Sequence, residues 1–109
     1  MSPASKDIVI VGLNHRSAPI EIRESVAFEA TYVREALGRL RGYSSIEEGV
    51  ILSTCNRVEV VASVLDGGAA IVEIKRFLTQ QRAHRSSGNL DEHVYTYLGS
   101  EAIRHLFRV

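Results

Sequence analysis

Gly49-Val50-Ile51-Leu52-Ser53-Thr54-Cys55-Asn56-Arg57-Val58-Glu59-Val60-Val61 holds two apolar runs separated by five residues of different character. The first run ends at Leu52 and the second continues from Val58 to Leu65, so Ser53 to Arg57 reads as the junction between two strands. Cys55 is the only cysteine in the chain. A free cysteine in a short domain is commonly a small buried hydrophobe. Here the polar neighbours Thr54, Asn56 and Arg57 place the sulfur at the rim of the sheet and favour a working thiol. In an extended chain, residues i and i+2 point the same way. Arg57, always charged, therefore either stabilises a thiolate or clamps a substrate carboxylate beside it; the competing reading is a solvated surface arginine. Thr54 and Asn56 either donate hydrogen bonds to a substrate or shape the turn.

Outward from this stretch, length and composition set limits. The 109 residues suit one domain, burying about 65 % of the unfolded surface. Thirteen basic and thirteen acidic side chains give a formal charge of zero, which removes any bulk attraction to nucleic acid or membrane and leaves only local contacts. One cysteine excludes an internal disulfide framework and fits a reducing compartment. Met1 to Lys6 has no apolar core of the signal-peptide kind, and no run approaches the ~18 apolar residues of a membrane span. The expected location is the cytoplasm.

The flanking segments supply the rest of the sheet and its cover. Ile8 to Leu13 is β-branched and short enough for a buried strand, ended by Asn14-His15-Arg16-Ser17. His15 either faces the same rim as Cys55 or hydrogen-bonds its own loop. Ser17-Ala18-Pro19 opens a short helix through Ile20, Ile22 and Val26, with Glu21, Arg23 and Glu24 toward water. Val33, Ala36, Leu37 and Leu40 recur at helical spacing, predicting a helix over Glu29 to Arg41 that Gly42 ends. After Asp66-Gly67-Gly68, a second helix runs from Ala69 to about His84 with Ile71, Ile74, Phe77 and Leu78 on its core face. Arg82 to Asn89 is a polar, basic loop that either touches phosphates or, as is commoner for a short charged loop, is only solvated. His93 to Leu98 is a last strand, and Ser100 caps a helix whose Ala102, Ile103, Leu106 and Phe107 share a face, with His105 off that stripe.

The resulting order is strand, helix, strand, strand, helix, strand, with one helix appended. Two short helices must then cover one face of a small antiparallel sheet. The expected class is α+β, the ferredoxin-like split βαβ (βαββαβ) with a further C-terminal helix. No repeat, low-complexity segment or second domain is evident within residues 1–109.

Four segments carry a family likeness: Gly12-Leu13-Asn14-His15-Arg16-Ser17-Ala18-Pro19, Ile22-Arg23-Glu24, Leu52 to Glu59, and Ala102 to Val109. In this order they resemble the N-terminal catalytic domain of the glutamyl-tRNA reductases, over nearly the whole chain. The resemblance implies that Cys55 attacks the ester of glutamyl-tRNA to form a glutamyl thioester. Hydride from NADPH then yields glutamate-1-semialdehyde, the first committed step of tetrapyrrole synthesis by the five-carbon route. It also places Thr54, Asn56 and Arg57 in the glutamate pocket beside Cys55, and makes His105 a second catalytic residue, as proton donor or substrate contact. The residues agree chemically, because a thiolate beside a guanidinium suits an acyl substrate with a carboxylate.

By the same resemblance, the family continues with an NADPH-binding domain and a helical dimerisation domain through which it forms homodimers. Residues 1–109 contain no Gly-x-Gly-x-x-Gly. The chain is therefore expected to be the catalytic domain alone, binding neither NADPH nor a metal, and unable by itself to reduce its substrate. Two alternatives belong to other classes. An RNA-binding module would need aromatics on the exposed sheet face, and Val58 to Leu65 has none. In a regulatory module, Arg57 would bind a ligand carboxylate and Cys55 would be incidental.

Overall fold

Residues 7–81 and 90–108 are described by the structure, a computed structural model. The strand that organises it is β1 (Asp7–Asn14), whose residues 9–13 are all buried. A short strand apolar on both sides needs neighbours on both edges and a layer on each face. The structure supplies all four.

The edges are β3 (Arg57–Val64) and β4 (Tyr95–Leu98), both antiparallel to β1; β2 (Ile46–Ser53) pairs antiparallel with β3, giving the order β2-β3-β1-β4. This is the ferredoxin-like order, in which β3 lies between the two strands joined by the first crossover. The hairpin registers Leu52 with Glu59 and Ser53 with Val58, so Thr54, Cys55 and Asn56 form the turn.

On one face Val9, Val11 and Leu13 of β1 and Val58, Val60, Ala62 and Val64 of β3 pack into the main core. That face is covered by α2 (Val33–Arg41) through Ala36 and Leu40, and by α3 (Gly67–Gln81) through Ala70, Ile74, Phe77 and Leu78. Because side chains alternate along a strand, Ile10, Gly12 and Glu59 point to the other face, where α4 (Ser100–Arg108) lies over β1 and β4. The expected arrangement, two helices on one face plus a C-terminal helix, is thus the observed one.

Boundaries differ where local chemistry overrides periodicity. The predicted helix over 29–41 begins as a 3₁₀ turn, Ala30–Tyr32, and becomes α-helical only at Val33. The helix predicted from Ala69 starts at Gly67, where Asp66 Oδ1 accepts a hydrogen bond from the amide of Ala69 at 3.0 Å and caps the first turn. Its predicted end, and the basic loop 82–89, lie outside the described residues. The first crossover holds α1 (Ile20–Ser25), shorter than expected, and Arg23 is partly buried rather than turned to water, while Ile20 is exposed. The last strand starts at Tyr95, not His93, which ends a 3₁₀ turn over Leu90–His93.

The seating of α4 also departs from its apolar pattern. Ala102 is buried, but Ile103 is exposed and Phe107 is 87 % exposed. His105, expected off the docking stripe, instead points into the sheet, with its side chain only 11 % exposed. Gly99, at φ +64, turns the chain from β4 into this helix, a conformation that L side chains rarely adopt. Among the described residues, no helix is long and apolar enough to cross a membrane.

Candidate active site

The turn between β2 and β3 is tied from within. The amide of Thr54 donates to the carbonyl of Arg57 at 2.8 Å, and Thr54 Oγ1 accepts from the amides of Asn56 and Arg57, each at 3.2 Å. Ser53 Oγ accepts from the amide of Phe28 at 3.0 Å, fastening the end of β2 to the segment after α1. Thr54 therefore spends its oxygen shaping the turn. Cys55 and Asn56 are left exposed, the sulfur free at the end of a rigid hairpin.

Two residues past Cys55, β3 begins with Arg57, and two further on comes Glu59 on the same face. Glu59 is fully buried. Its Oε2 accepts from the hydroxyl of Tyr95 at 2.5 Å and lies 2.5 Å from His105 Nε2. An ionised carboxylate only accepts, so Nε2 carries the hydrogen in this pair. Arg57 Nη1 lies 3.7 Å from Oε1, which has no hydrogen-bond partner of its own. Burial, and then the hydrogen bond and charge of Glu59, push the Tyr95 hydroxyl well above the ordinary phenol range. Tyr95 accordingly remains a donor. The His105 ring stacks on Tyr97, with centroids 4.5 Å apart and planes at 23°, and tilts against Tyr95 at 5.5 Å.

One glycine makes this cluster possible. Gly12 of β1 is registered with Glu59 on one side and Tyr95 on the other. A Cβ on Gly12 would stand 2.7 Å from Glu59 Cγ and 2.6 Å from the carbonyl oxygen of Val58. Without it, the glutamate reaches across β1 to Tyr95 and His105. Buried acids demand such partners, since an unpaired carboxylate in the interior is strongly disfavoured.

The predicted site residues fall into two neighbouring hollows. Arg57 and His105 line a cavity of about 520 Å³ together with His15, Arg16, Tyr97 and Arg108. Thr54 and Cys55 line a second one of about 270 Å³, with Arg23, Glu24 and Phe28. Arg57 and Cys55 thus flank one turn but face different hollows, and Asn56 lines neither. His15 belongs to the Arg57 cavity rather than to that of Cys55. Among the described residues, no group of three or more His, Cys, Asp or Glu side chains is placed to hold a metal ion.

Glu59 and Tyr95 were not singled out by sequence reasoning. The available signal was an acid within Val58-Glu59-Val60-Val61, a run otherwise apolar, which alternation assigns to a solvated face when the helix above that face is not considered. The tyrosines also bear on the RNA-binding alternative. The second face does carry aromatics, from β4 rather than β3, but both rings are engaged with His105.

The class that the fold and the site define is a ferredoxin-like α+β domain with an exposed thiol on a strand turn and, at the far end of that turn, a guanidinium paired with a buried carboxylate. Comparison with known proteins gives the particular family. Residues 11–109 match the family described as glutamyl-tRNAGlu reductase, N-terminal domain. Glutamyl-tRNA reductases of Trichlorobacter lovleyi, Geotalea daltonii and Synechocystis are 44 %, 45 % and 42 % identical over 103 residues, covering 94 % of this chain and 24 % of each relative. The solved glutamyl-tRNA reductase from Methanopyrus kandleri superposes with a TM-score of 0.61 at 33 % identity, over 96 % of this chain and 22 % of that one. The chain belongs to the glutamyl-tRNA reductase N-terminal domain family and spans about a quarter of the length of these relatives.

Proposed function

We propose that this chain carries out the acyl-transfer half of a glutamyl-tRNA reductase reaction, with Cys55 as nucleophile. The observation that carries the reading is the exposed Cys55 on a turn whose far end, Arg57, is ion-paired to the buried Glu59. The Cys55 sulfur attacks the ester carbonyl of glutamyl-tRNA and forms a C–S bond. The C–O bond to the ribose breaks, and the tRNA leaves as the hydroxyl after taking up a proton. Arg57 holds the γ-carboxylate of the glutamyl group. Glu59, fixed by Tyr95 and His105, keeps the guanidinium in place, and preorganisation of this kind lowers the cost of binding. His105 acts in this scheme as an anchor of that network and a wall of the carboxylate cavity.

Release of glutamate-1-semialdehyde for tetrapyrrole synthesis would need hydride from NADPH. A dinucleotide site of the usual kind requires a glycine-rich turn between a parallel strand and a helix. All strand pairs among the described residues are antiparallel and residues 1–109 lack that motif, so the described residues do not fit the cofactor. The hydride donor and the homodimer contact are assigned to separate domains, in keeping with the share of the relatives' length that this chain covers. The test is mass spectrometry of the chain after mixing with glutamyl-tRNA. A glutamyl adduct on the peptide containing Cys55, absent in Cys55→Ser, is the expected result. An unmodified Cys55 under conditions where the substrate stays intact would overturn the reading.

A further inference from the structure

The hollow that contains Cys55 has a cation of its own. Arg23, on α1, lines it, and its Nε and Nη1 are buried without a hydrogen-bond partner. Unsatisfied buried donors on a permanently charged group are costly and call for a partner. Arg57, the cation two residues beyond the thiol, does not reach this hollow and is already paired with Glu59. Glu24, Phe28, Ser53 and Thr54 line the same hollow beside Arg23 and Cys55.

An acyl ester under attack by a thiol has two arms leaving the reacting carbon, the acyl chain and the alcohol. If the acyl arm ends on Arg57 in one cavity, the separate hollow that Cys55 itself lines is left for the alcohol arm. We propose that the Arg23 hollow is the leaving-group subsite, taking the terminal ribose phosphate of the aminoacylated RNA. The phosphate pairs with the Arg23 guanidinium. This assignment rests on the acyl-transfer role of Cys55, and it adds a phosphate-binding residue distinct from the carboxylate clamp. The chemistry is that of backbone recognition, positioning the RNA end without reading its sequence.

The experiment compares two acyl donors with this chain, reading the glutamyl adduct on Cys55 by mass spectrometry. One donor is glutamyl-tRNA; the other is a p-nitrophenyl ester of glutamate, which carries no phosphate. Arg23→Ala should slow adduct formation from subsaturating glutamyl-tRNA roughly tenfold more than from the small ester, because a charge-assisted contact is lost only with the RNA. The dependence of log affinity on log salt should become shallower by about 0.7 for the RNA donor, the amount expected for one phosphate on a single strand. Arg23→Lys, which keeps the charge, should restore most of the salt dependence. Equal slowing with both donors, or an unchanged salt slope in Arg23→Ala, would overturn the subsite while leaving the role of Cys55 intact. Failure of the unmodified chain to form an adduct with either donor would overturn both.

Discussion

At the scale of single residues, Glu59 shows how one backbone decision organises a site. Its carboxylate crosses β1 only because Gly12 has no side chain. Gly12→Ala is therefore expected to force Glu59 and the Val58 backbone aside at a cost of about 1–3 kcal/mol, read as a lower urea midpoint at unchanged slope. Tyr95 gives a pH test. Its hydroxyl is raised in the folded state above its unfolded value near 10, so its contribution is complete below about pH 10 and is lost as pH rises beyond that. Between that point and the raised folded value, the folded state binds more protons than the unfolded one. Stability should then fall with rising pH on account of this residue. Tyr95→Phe should remove that component, so urea titrations of the two proteins at pH 9 and pH 11 should converge as pH rises. Parallel curves would show that the Tyr95–Glu59 bond does not form in solution.

At the scale of elements, the strands were legible and the helix faces less so. Ile8 to Leu13 and the two runs around Cys55 announced β1, β2 and β3 because β-branched content and length leave few alternatives. The turn was legible for the same reason, since Thr54, Cys55 and Asn56 interrupt both runs. The α4 helix was misread because Ala102, Ile103, Leu106 and Phe107 suggested an apolar stripe, whereas the sheet beneath offers a buried carboxylate and two tyrosines. The polar His105 is the better fit to that surface. Arg23 was placed in water by the pattern of α1, since nothing local reveals that the Ser53 to Cys55 turn lies against it. This view of α4 makes a paired prediction. Phe107→Ser, at a side chain 87 % exposed, should change stability by no more than about 0.5 kcal/mol. Ala102→Leu, at a fully buried position, should overpack the contact with the sheet and cost about 1–3 kcal/mol. Hydrogen exchange of the α4 amides, together with denaturation, would report both. A large effect of Phe107→Ser would mean that this ring is covered in solution.

At the scale of the whole molecule, the fold separates positioning from reduction. The antiparallel sheet places the thiol on one turn and a guanidinium at the far end of that turn, and the two line separate hollows. Among the described residues there is no parallel strand–turn–helix unit that could cradle a dinucleotide. The proposed chemistry should therefore stop at the thioester when this chain acts alone. Mixed with glutamyl-tRNA and NADPH, it is expected to accumulate the Cys55 adduct and to lose it only by hydrolysis to glutamate, with no decrease in NADPH absorbance. Arg57→Leu should lower the rate of adduct formation at low substrate much more than at saturation, because the clamp acts in binding and the thiol in bond formation. Oxidation of NADPH in step with loss of the adduct would show that the sheet supplies a hydride site after all, and would move the division of labour inside these 109 residues.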